Sequence, residues 1–317
     1  MRRTCLTVPM VFVLFAAGRS AALAQAPAGT AQAAPQPPQD PQQPPTFEEQ
    51  VVVTASRNEE QLVNAPATIS VITTQTIENS PATNIGDLLR AVPGVNVTQL
   101  TARDVNITTR GATATLATSQ LALVDGRSIY LDFYGMVMWD FIPANPHEIK
   151  QIEVIRGPAS AMWGANAMSG VVNVITKSPR ELAAEGPASI TIGAGGFSRS
   201  AQGVDRDMGS LFYVNGSTAH AVNDRWAYKV SAGYFTQYPL ARPVGTINNA
   251  AQTPYPNYTN QGTSQPKFDT RVDYSLSSGG TLTFNGGVNG TDGIIHSGIG
   301  PFDIQNGSRM GYFSTKW

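Results

Sequence analysis

The C-terminal part of the chain alternates apolar and polar residues with a period of two. From Trp226 to Tyr234 every second residue is aromatic or aliphatic, and Lys229 and Ser231 lie between them. This period is typical of a β-strand with one face in an apolar environment. Five further segments show the alternation, most of them more weakly. We therefore predict six strands, at 188–196, 209–219, 226–234, 267–276, 281–290 and 308–317.

The connections between these strands alternate between short and long. Residues 221–224 and 277–280 form short connections, whereas a long one runs through 236–266, and loops of medium length are predicted at 196–208 and 291–307. A soluble β-sandwich has no reason to place every short turn at one end, but an outer-membrane barrel does so. The pattern favours barrel strands whose aromatic, uncharged face contacts outer-membrane lipids.

The region between Pro66 and Pro179 predicts a mixed α/β domain of about 115 residues, an ordinary domain size. Its pattern gives strands at 67–73, 149–157 and 170–176, and a helix at 85–92 that ends before Pro93 and Gly94. Residues 120–131 predict a hairpin, because Asp125 and Gly126 tolerate the positive φ angles of its tight turn.

The N-terminal segment carries targeting and linker signals. Arg2 and Arg3, an apolar run at 6–17 and small residues at 22–24 predict a cleaved signal peptide at 1–24. Residues 25–48 are rich in Ala, Gln and Pro, which predicts a disordered linker. Val51–Val53 then form a β-branched run with no hairpin partner nearby. Such a strand either pairs with another chain or joins the protein's own sheet.

Composition excludes several classes of function. Charged residues make up 14% of the chain, below the roughly 25% of a typical soluble protein. Without the signal peptide, the chain has 18 basic residues (21 minus three arginines) and 22 acidic ones. Because it is not basic, a nucleic-acid partner is not expected. The single cysteine, Cys5, lies in the signal peptide. His147, His220 and His296 lack metal-ligand spacing, so we expect no metal site and no catalytic residues.

The stretch from Ile152 to Lys177 reads IEVIRGPASAMWGANAMSGVVNVITK and needs its own interpretation. Its glycines do not match a phosphate-binding loop, and Pro158 with the repeated Gly and Asn breaks any spanning helix. We interpret it as a connector, with a short helical turn at 158–164 followed by a buried strand.

Five motifs, in the expected order, resemble the TonB-dependent outer-membrane receptors. They are QVVVTASR, LLRAVPGVNV, ITTRGA, LALVDGR and the stretch from Ile152 to Lys177. The resemblance implies a membrane β-barrel of the 22-stranded antiparallel type, of which about six strands are present, filled by an N-terminal α/β plug domain. It assigns the segments as follows: periplasmic linker 25–48, TonB box 49–56, plug domain 57–180 and the N-terminal part of the barrel 187–317.

The resemblance also implies residue roles. The TonB box would add as a strand to TonB, which works with ExbB and ExbD, through Glu49, Val51, Val52, Val53, Thr54 and Ala55. Arg110 and Arg156 would fasten the plug by pairing with glutamates of the barrel wall, or else would satisfy local carbonyl groups. Six glycines are expected to be structural: Gly94, Gly111, Gly126, Gly157, Gly164 and Gly170.

The implied ligand is a ferric siderophore, a cobalamin or another bulky solute, with iron or cobalt present only as part of that solute and no cofactor. Candidate contacts on the outer loops are Phe133, Tyr134, Trp139, Thr113 and Thr115, although the aromatic ones could instead pack on the barrel wall. The implied function is energised uptake at the outer membrane of a Gram-negative bacterium. Alternatives are a signal-transducing receptor, or a truncated plug fragment that acts as a periplasmic binding module.

The sequence departs from the family pattern in two respects. Six strands cannot close a barrel that holds a plug. The predicted wall also lacks partners for the two arginines, since no glutamate follows Glu185. We therefore expect a truncated chain.

Overall fold

The computed structural model describes residues 52–53, 60–61, 68–110, 117–132, 135–199, 207–240, 245–246, 249–254, 262–297 and 300–317. The predicted signal peptide and linker lie outside these ranges. Within them, none of the helices has the length and apolar composition needed to cross a lipid bilayer.

Residues 68–185 form an α/β domain. Its strands are β3 (Thr68–Thr73), β4 (Val95–Gln99), β5 (Val105–Thr109), β6 (Gln120–Val124), β7 (Arg127–Ser128), β8 (Tyr130–Leu131), β9 (Met136–Val137), β10 (Ile149–Arg156) and β11 (Gly170–Thr176). Its helices are α1 (Thr74–Glu78), α2 (Ile85–Leu89), α3 (Ser160–Trp163) and α4 (Pro179–Glu185), with short 3-10 turns at Trp139–Phe141, Pro146–Glu148 and Ala165–Ala167. The main sheet has the order β3-β10-β11-β6-β7, so β3 lies at an edge.

The core of this domain forms where the central strands meet the first two helices. Ile152 and Val154 of β10 and Val172 of β11 are fully buried, and they belong to one apolar cluster with Ile77 and Leu89 of the helices. Burial of β-branched side chains on the central strands stabilises the sheet. The strands predicted at 67–73, 149–157 and 170–176 are confirmed.

Local signals in the sequence determine where these elements turn. Asn84 caps α2, because its side chain accepts a hydrogen bond from the backbone of Asp87. Asp125 and Gly126 have φ angles of 51° and 82°, as the predicted hairpin turn between β6 and β7 requires. The predicted connector contains α3, then Gly164 with φ 91°, and then β11. Both predictions are confirmed.

Residues 188–317 form a six-stranded antiparallel sheet in chain order. Its strands are β12 (Ala188–Phe197), β13 (Gly209–Ala221), β14 (Trp226–Gln237), β15 (Thr263–Ser275), β16 (Thr281–Ser297) and β17 (Gly300–Lys316). Lys229 and Ser231 of β14 are buried on the face toward the α/β domain, while Ile190, Ile192 and Phe313 are exposed. The predicted six strands and their polar and apolar faces are confirmed.

The last two strands differ from the prediction. β16 and β17 contain 17 residues each, and the loop predicted at 291–307 is strand on both sides of residues 298–299. The prediction was wrong because Gly293, Gly300 and Pro301 interrupt the alternation there, whereas pairing between the two strands continues from Gly293↔Ile304 to Ser297↔Gly300.

The valine segment also has a partner in its own chain. β1 (Val52–Val53) pairs antiparallel with β2 (Glu60–Gln61) in a separate two-stranded sheet. The expectation of a strand without a nearby partner was therefore wrong. A pair of two-residue strands contains few hydrogen bonds, so it is a weak competitor for any longer strand that docks on the same segment.

Helix α4 joins the two parts of the structure. Ser178 and Glu181 form a capping box at its start, and Pro179 occupies the first turn. Arg180 donates a hydrogen bond of 2.8 Å to the carbonyl of Asn223 in the short turn between β13 and β14. Only Gly186 and Pro187 separate the helix from β12.

Candidate functional site at the interface of the α/β domain and the sheet

A buried ion pair lies at the centre of the interface. Glu148 ends the 3-10 turn that precedes β10, where its Oε2 accepts a hydrogen bond of 2.9 Å from the backbone of Asn145. Its Oε1 lies 3.4 Å from Nζ of Lys229 on β14, and both side chains are almost completely buried. Because neither group is exposed to bulk water, each charge must be compensated by neighbouring charges, and the two groups of this pair compensate each other.

Hydrogen bonds to backbone carbonyls surround this pair. Lys267 of β15 donates to the carbonyl of Ala144 at 3.2 Å. Asn145 donates to the carbonyl of Ala232 at 3.3 Å. Gly233 leaves room for this approach, since a Cβ there would lie 2.8 Å from Oδ1 of Asn145 and would force that side chain to shift. The α/β domain is therefore held here by polar contacts and a close backbone approach.

A second polar cluster lies near the long-loop end of the sheet. Arg103 and Asp140 of the α/β domain form a buried ion pair of 2.8 Å. Oγ1 of Thr291 on β16 donates to the Asp140 carboxylate at 2.6 Å. Asn289 on the same strand donates to the carbonyl of Phe141 at 2.9 Å. These contacts place β16 directly against the segment that follows β9.

An aromatic contact completes the interface near β17. The Arg127 guanidinium lies 3.8 Å above the ring of Tyr312, and the Tyr312 hydroxyl is hydrogen-bonded to Asp269. Burial lowers the pKa of Arg127, while Asp269 and Asp125 act in the opposite direction. A partly buried guanidinium over an aromatic face is a favourable electrostatic contact.

The α1–α2 region is separated from the sheet. A cavity of about 260 Å³ lies between them, lined among others by Ile77, Ile85, Thr191, Tyr213 and Phe235. In the described residues, no hydrogen bond or ion pair joins residues 68–99 to the six-stranded sheet. The polar attachment of the α/β domain is therefore made by residues that follow β4.

The two predicted plug arginines make local contacts. Arg156 donates to the carbonyl of Pro93 at 2.5 Å, and Arg110 lies 3.4 Å from the Thr68 hydroxyl. Gly157 leaves room for Arg110, because a Cβ there would lie 2.7 Å from its Nη1. Within the described ranges neither arginine contacts a glutamate, so their pairing with wall glutamates stays a prediction.

The predicted ligand and TonB contacts are only partly described. Trp139 is 8% exposed and belongs to the core cluster. The structure therefore packs it in the core of the domain rather than at an exposed position where it would contact a ligand. Only Val52 and Val53 of the predicted TonB contacts are described. The remaining predicted residues lie outside the described ranges: Glu49, Val51, Thr54, Ala55, Gly111, Thr113, Thr115, Phe133 and Tyr134.

The histidines do not form a metal site in the described part of the chain. His147 Nδ1 lies 3.3 Å from Glu78, and His296 Nδ1 lies 3.3 Å from Asp104. The described residues contain no group of three or more candidate ligands. Glu148, Arg103 and Asp140 were not predicted from the sequence, although a lone lysine at 229 on a face of small polar residues is a signal that an acid lies opposite.

An α/β domain held by buried polar contacts against the inner face of antiparallel strands defines a plug-and-barrel architecture. Residues 61–171 match the family model of the TonB-dependent Receptor Plug Domain. Residues 61–171 are thus a plug domain of the TonB-dependent receptor type, and six antiparallel strands follow them. Proteins of this class reside in the outer membrane of Gram-negative bacteria, so the expected localisation is confirmed.

Relatives and solved structures agree with this assignment. The vitamin B12 transporter BtuB of Vibrio vulnificus is 37% identical over 149 residues, which are 46% of this chain and 23% of that protein. The iron-regulated outer membrane virulence protein of Vibrio cholerae is 35% identical over 142 residues, 42% of this chain and 21% of that protein. The chain thus spans less than a third of the length of these relatives.

The ferric enterobactin receptor PfeA of Pseudomonas aeruginosa has a similar fold. Its structure superposes with a TM-score of 0.55 at 23% sequence identity, covering 76% of this chain and 35% of PfeA. The likeness extends beyond the plug domain into the strands that follow it.

Proposed function

We propose that this chain provides the plug and the first wall strands of a receptor for TonB-energised uptake of a bulky metal-chelate solute. The observation that carries the proposal is the polar interface around Glu148 and Lys229. A permanently docked domain would gain most from apolar contact, whereas polar contacts can be exchanged for water when the domain moves.

The names of the relatives indicate the class of solute. One relative is named a vitamin B12 transporter and a structural neighbour is named a ferric enterobactin receptor. Both solutes are large metal chelates. For this chain, cobalamins and ferric siderophores are therefore the first solutes to test, and no catalytic step is required of the protein.

The valine segment supplies the proposed point of attachment for TonB. Within the described residues, Val52 and Val53 pair with the short β2. A strand from TonB could displace β2 and distribute a pulling force over several backbone hydrogen bonds. This attachment would transmit the force through β3, the first strand of the α/β domain.

A pair of proline variants tests the proposal. Val52→Pro removes a backbone donor from the TonB-binding segment, and we expect it to abolish uptake of radiolabelled cyanocobalamin and ferric enterobactin while binding at the cell surface is kept. Glu60→Pro is the matched control, because it disrupts the β1–β2 pair from the other side. It should leave uptake intact.

The outcomes separate the two roles of the segment. Equal loss of uptake in both variants would show that the β1–β2 pair itself is needed. Undiminished uptake in Val52→Pro would contradict attachment of TonB at this segment. Binding without uptake of either solute by the unaltered protein would contradict the transport function.

A further inference from the structure

The cavity between the α1–α2 region and the six-stranded sheet has the size of a small-molecule site. Its volume is about 260 Å³, whereas a cavity of about 150 Å³ is enough to hold one benzene molecule. A single aromatic ring with one or two small substituents therefore fits. The α/β domain supplies one wall and strands β12 to β15 supply the other. A molecule bound there contacts both parts of the structure.

Much of the cavity wall is apolar and partly aromatic. Ile77 of α1 with Ile85 and Leu88 of α2 line it on one side, and Tyr213 on β13 and Phe235 on β14 line it on the other. Burial of an apolar ring against such walls is favourable, and contacts between aromatic rings add to it. These walls favour a ligand with a planar aromatic body.

Three polar side chains meet at one end of the cavity, next to Gly233. The point where a Cβ of residue 233 would stand lies 2.6 Å from Oδ1 of Asn215, 2.6 Å from Cε of Lys267 and 2.8 Å from Oδ1 of Asn145. All three side chains belong to residues that line the cavity. One polar group of a ligand can therefore reach more than one of them.

Asn145 brings a buried acceptor to this polar end. The residue is 3% exposed, and its side-chain amide donates to the carbonyls of Gly216 at 3.4 Å and Ala232 at 3.3 Å. Its Oδ1 accepts no hydrogen bond from the described residues. Leaving a buried acceptor without a donor is costly, so a ligand that donates a hydrogen bond here gains affinity.

Lys267 brings a donor whose charge is already compensated. One of its three N–H groups donates to the carbonyl of Ala144 at 3.2 Å. Glu148 and Asp269 lie close enough to attract its ammonium, and Glu148 also pairs with Lys229. Two acids thus face two bases. An anionic ligand would add a buried negative charge without a partner, so the polar end favours a neutral group.

A hydroxyl group meets these requirements with a single oxygen atom. It donates one hydrogen bond and accepts others, so it can donate to Oδ1 of Asn145 and accept from Nζ of Lys267. A carboxylate cannot donate, and a hydrocarbon can do neither. The opposite lining residues Glu78 and His147 have side chains that are 44% and 33% exposed, which places the entrance of the cavity at that end.

We propose that this cavity is a binding site for a small neutral phenol. The ring lies between the α1–α2 region and the wall strands, and the hydroxyl group binds Asn145 and Lys267. Because the ligand contacts both parts of the structure, its binding stabilises their docked arrangement. The site goes beyond the uptake function proposed above and does not depend on it.

A fluorine NMR titration of the full chain in lipid nanodiscs tests the ligand chemistry. The probe is 4-fluorophenol, and we expect a bound signal that saturates at one site. Fluorobenzene lacks the hydroxyl group and 4-fluorobenzoate replaces it by an anion, so both should bind about tenfold more weakly or less. Equal affinity for the three compounds, or a 4-fluorophenol signal that never saturates, would overturn the proposal.

A pair of phenylalanine variants locates the site. Thr191 on β12 lines the cavity, so Thr191→Phe places a ring inside it and should abolish saturable binding of 4-fluorophenol. Ala194→Phe is the matched control, because residue 194 lies on the opposite face of the same strand. It should bind like the unaltered protein. Undiminished binding by Thr191→Phe would show that the probe binds elsewhere.

Hydrogen exchange on the unaltered protein covers the case in which Thr191→Phe does not fold. With 4-fluorophenol at ten times its Kd, amide exchange of α2 (Ile85–Leu89) that requires the cavity to open should slow about tenfold. Unchanged exchange of α2 would contradict binding in the cavity. Neither TonB nor a metal chelate takes part in these measurements, so their failure and a failure of the uptake assay are distinguishable.

Discussion

Oε1 of Glu148 and Nζ of Lys229 lie 3.4 Å apart, with the two side chains 0% and 2% exposed. The acid belongs to the α/β domain and the base to the wall strand. The charges of this contact are thus arranged in the opposite sense to the arginine–glutamate pairing that the sequence motifs imply for Arg110 and Arg156. Apart from Arg127, which lies in the LALVDGR motif and contacts Tyr312, the polar contacts described between the plug domain and the strands are made by plug residues outside those motifs.

Removing one member of this pair should cost far more than removing both. Lys229→Met removes the ion-pair partner of the buried Glu148 and leaves it only its weaker interaction with Lys267, so we expect a loss of about 3–5 kcal/mol in the free energy of unfolding. Lys229→Met combined with Glu148→Gln should recover most of the lost stability. The free energies of unfolding of the single and the double variant are measured by urea titration in detergent, with the folded fraction read from heat-modifiable gel mobility. Lys316→Met, at the exposed end of β17, serves as control, and a Lys229→Met protein as stable as that control would refute the role of the pair.

Gly170 should tolerate no side chain. A Cβ at this position would collide with the Thr109 hydroxyl and with the carbonyl of Ile155 on the neighbouring strand. Because the obstacle is partly backbone, we expect Gly170→Ala to destabilise the α/β domain by about 1–3 kcal/mol or more. Gly186→Ala, where a Cβ meets nothing within 4 Å, should change little in the same urea titration.

The Asp125 side chain should stabilise the domain through β11. Its two carboxylate oxygens accept hydrogen bonds of 2.8 Å from the backbone and the hydroxyl of Thr176. Asp125→Ala leaves both donors without this partner, so we expect a loss of about 2–3 kcal/mol. Asp125→Asn keeps one acceptor and should lose less. Equal stability of the two variants would contradict this account.

The cap of α4 should make stability depend on pH. Burial acts to raise the pKa of Glu181, but hydrogen bonds from Lys150 and Ser178 outweigh it, and the net pKa lies below the usual value of 4.5. A lowered folded-state pKa adds stability above the unfolded value and loses it as the pH falls through the folded value. The difference in unfolding free energy between wild type and Glu181→Gln should therefore be constant above about pH 5.5 and shrink below pH 4.5. If the difference in unfolding free energy grew on acidification, the pKa of Glu181 would be raised by folding, which would contradict this prediction.

Local patterns were sufficient to predict much of the fold. The period-two alternation around Lys229 predicted both the strand and the face that is buried, because alternation is a property of neighbouring residues. The turn at Asp125 and Gly126 was predictable for the same reason. Both features depend on residues only a few positions apart.

The parts that the sequence did not predict depend on distant residues. Glu148 and Lys229 are 81 positions apart (229 minus 148), and no local period relates them. The outer half of β16 was missed because burial on both faces removes the alternation from Gly293 to His296. Trp139 was assigned to the ligand because its neighbours are apolar for a loop, whereas tertiary packing places it in the core.

The short junction after α4 limits how far the plug domain can travel. With only Gly186 and Pro187 between Glu185 and Ala188, the end of the domain can move no more than roughly 10 Å from the start of the wall. However the rest of the domain moves, its C-terminal end therefore stays beside the first strand of the sheet. A displaced domain remains covalently tethered next to its binding surface, and this high effective concentration favours its return.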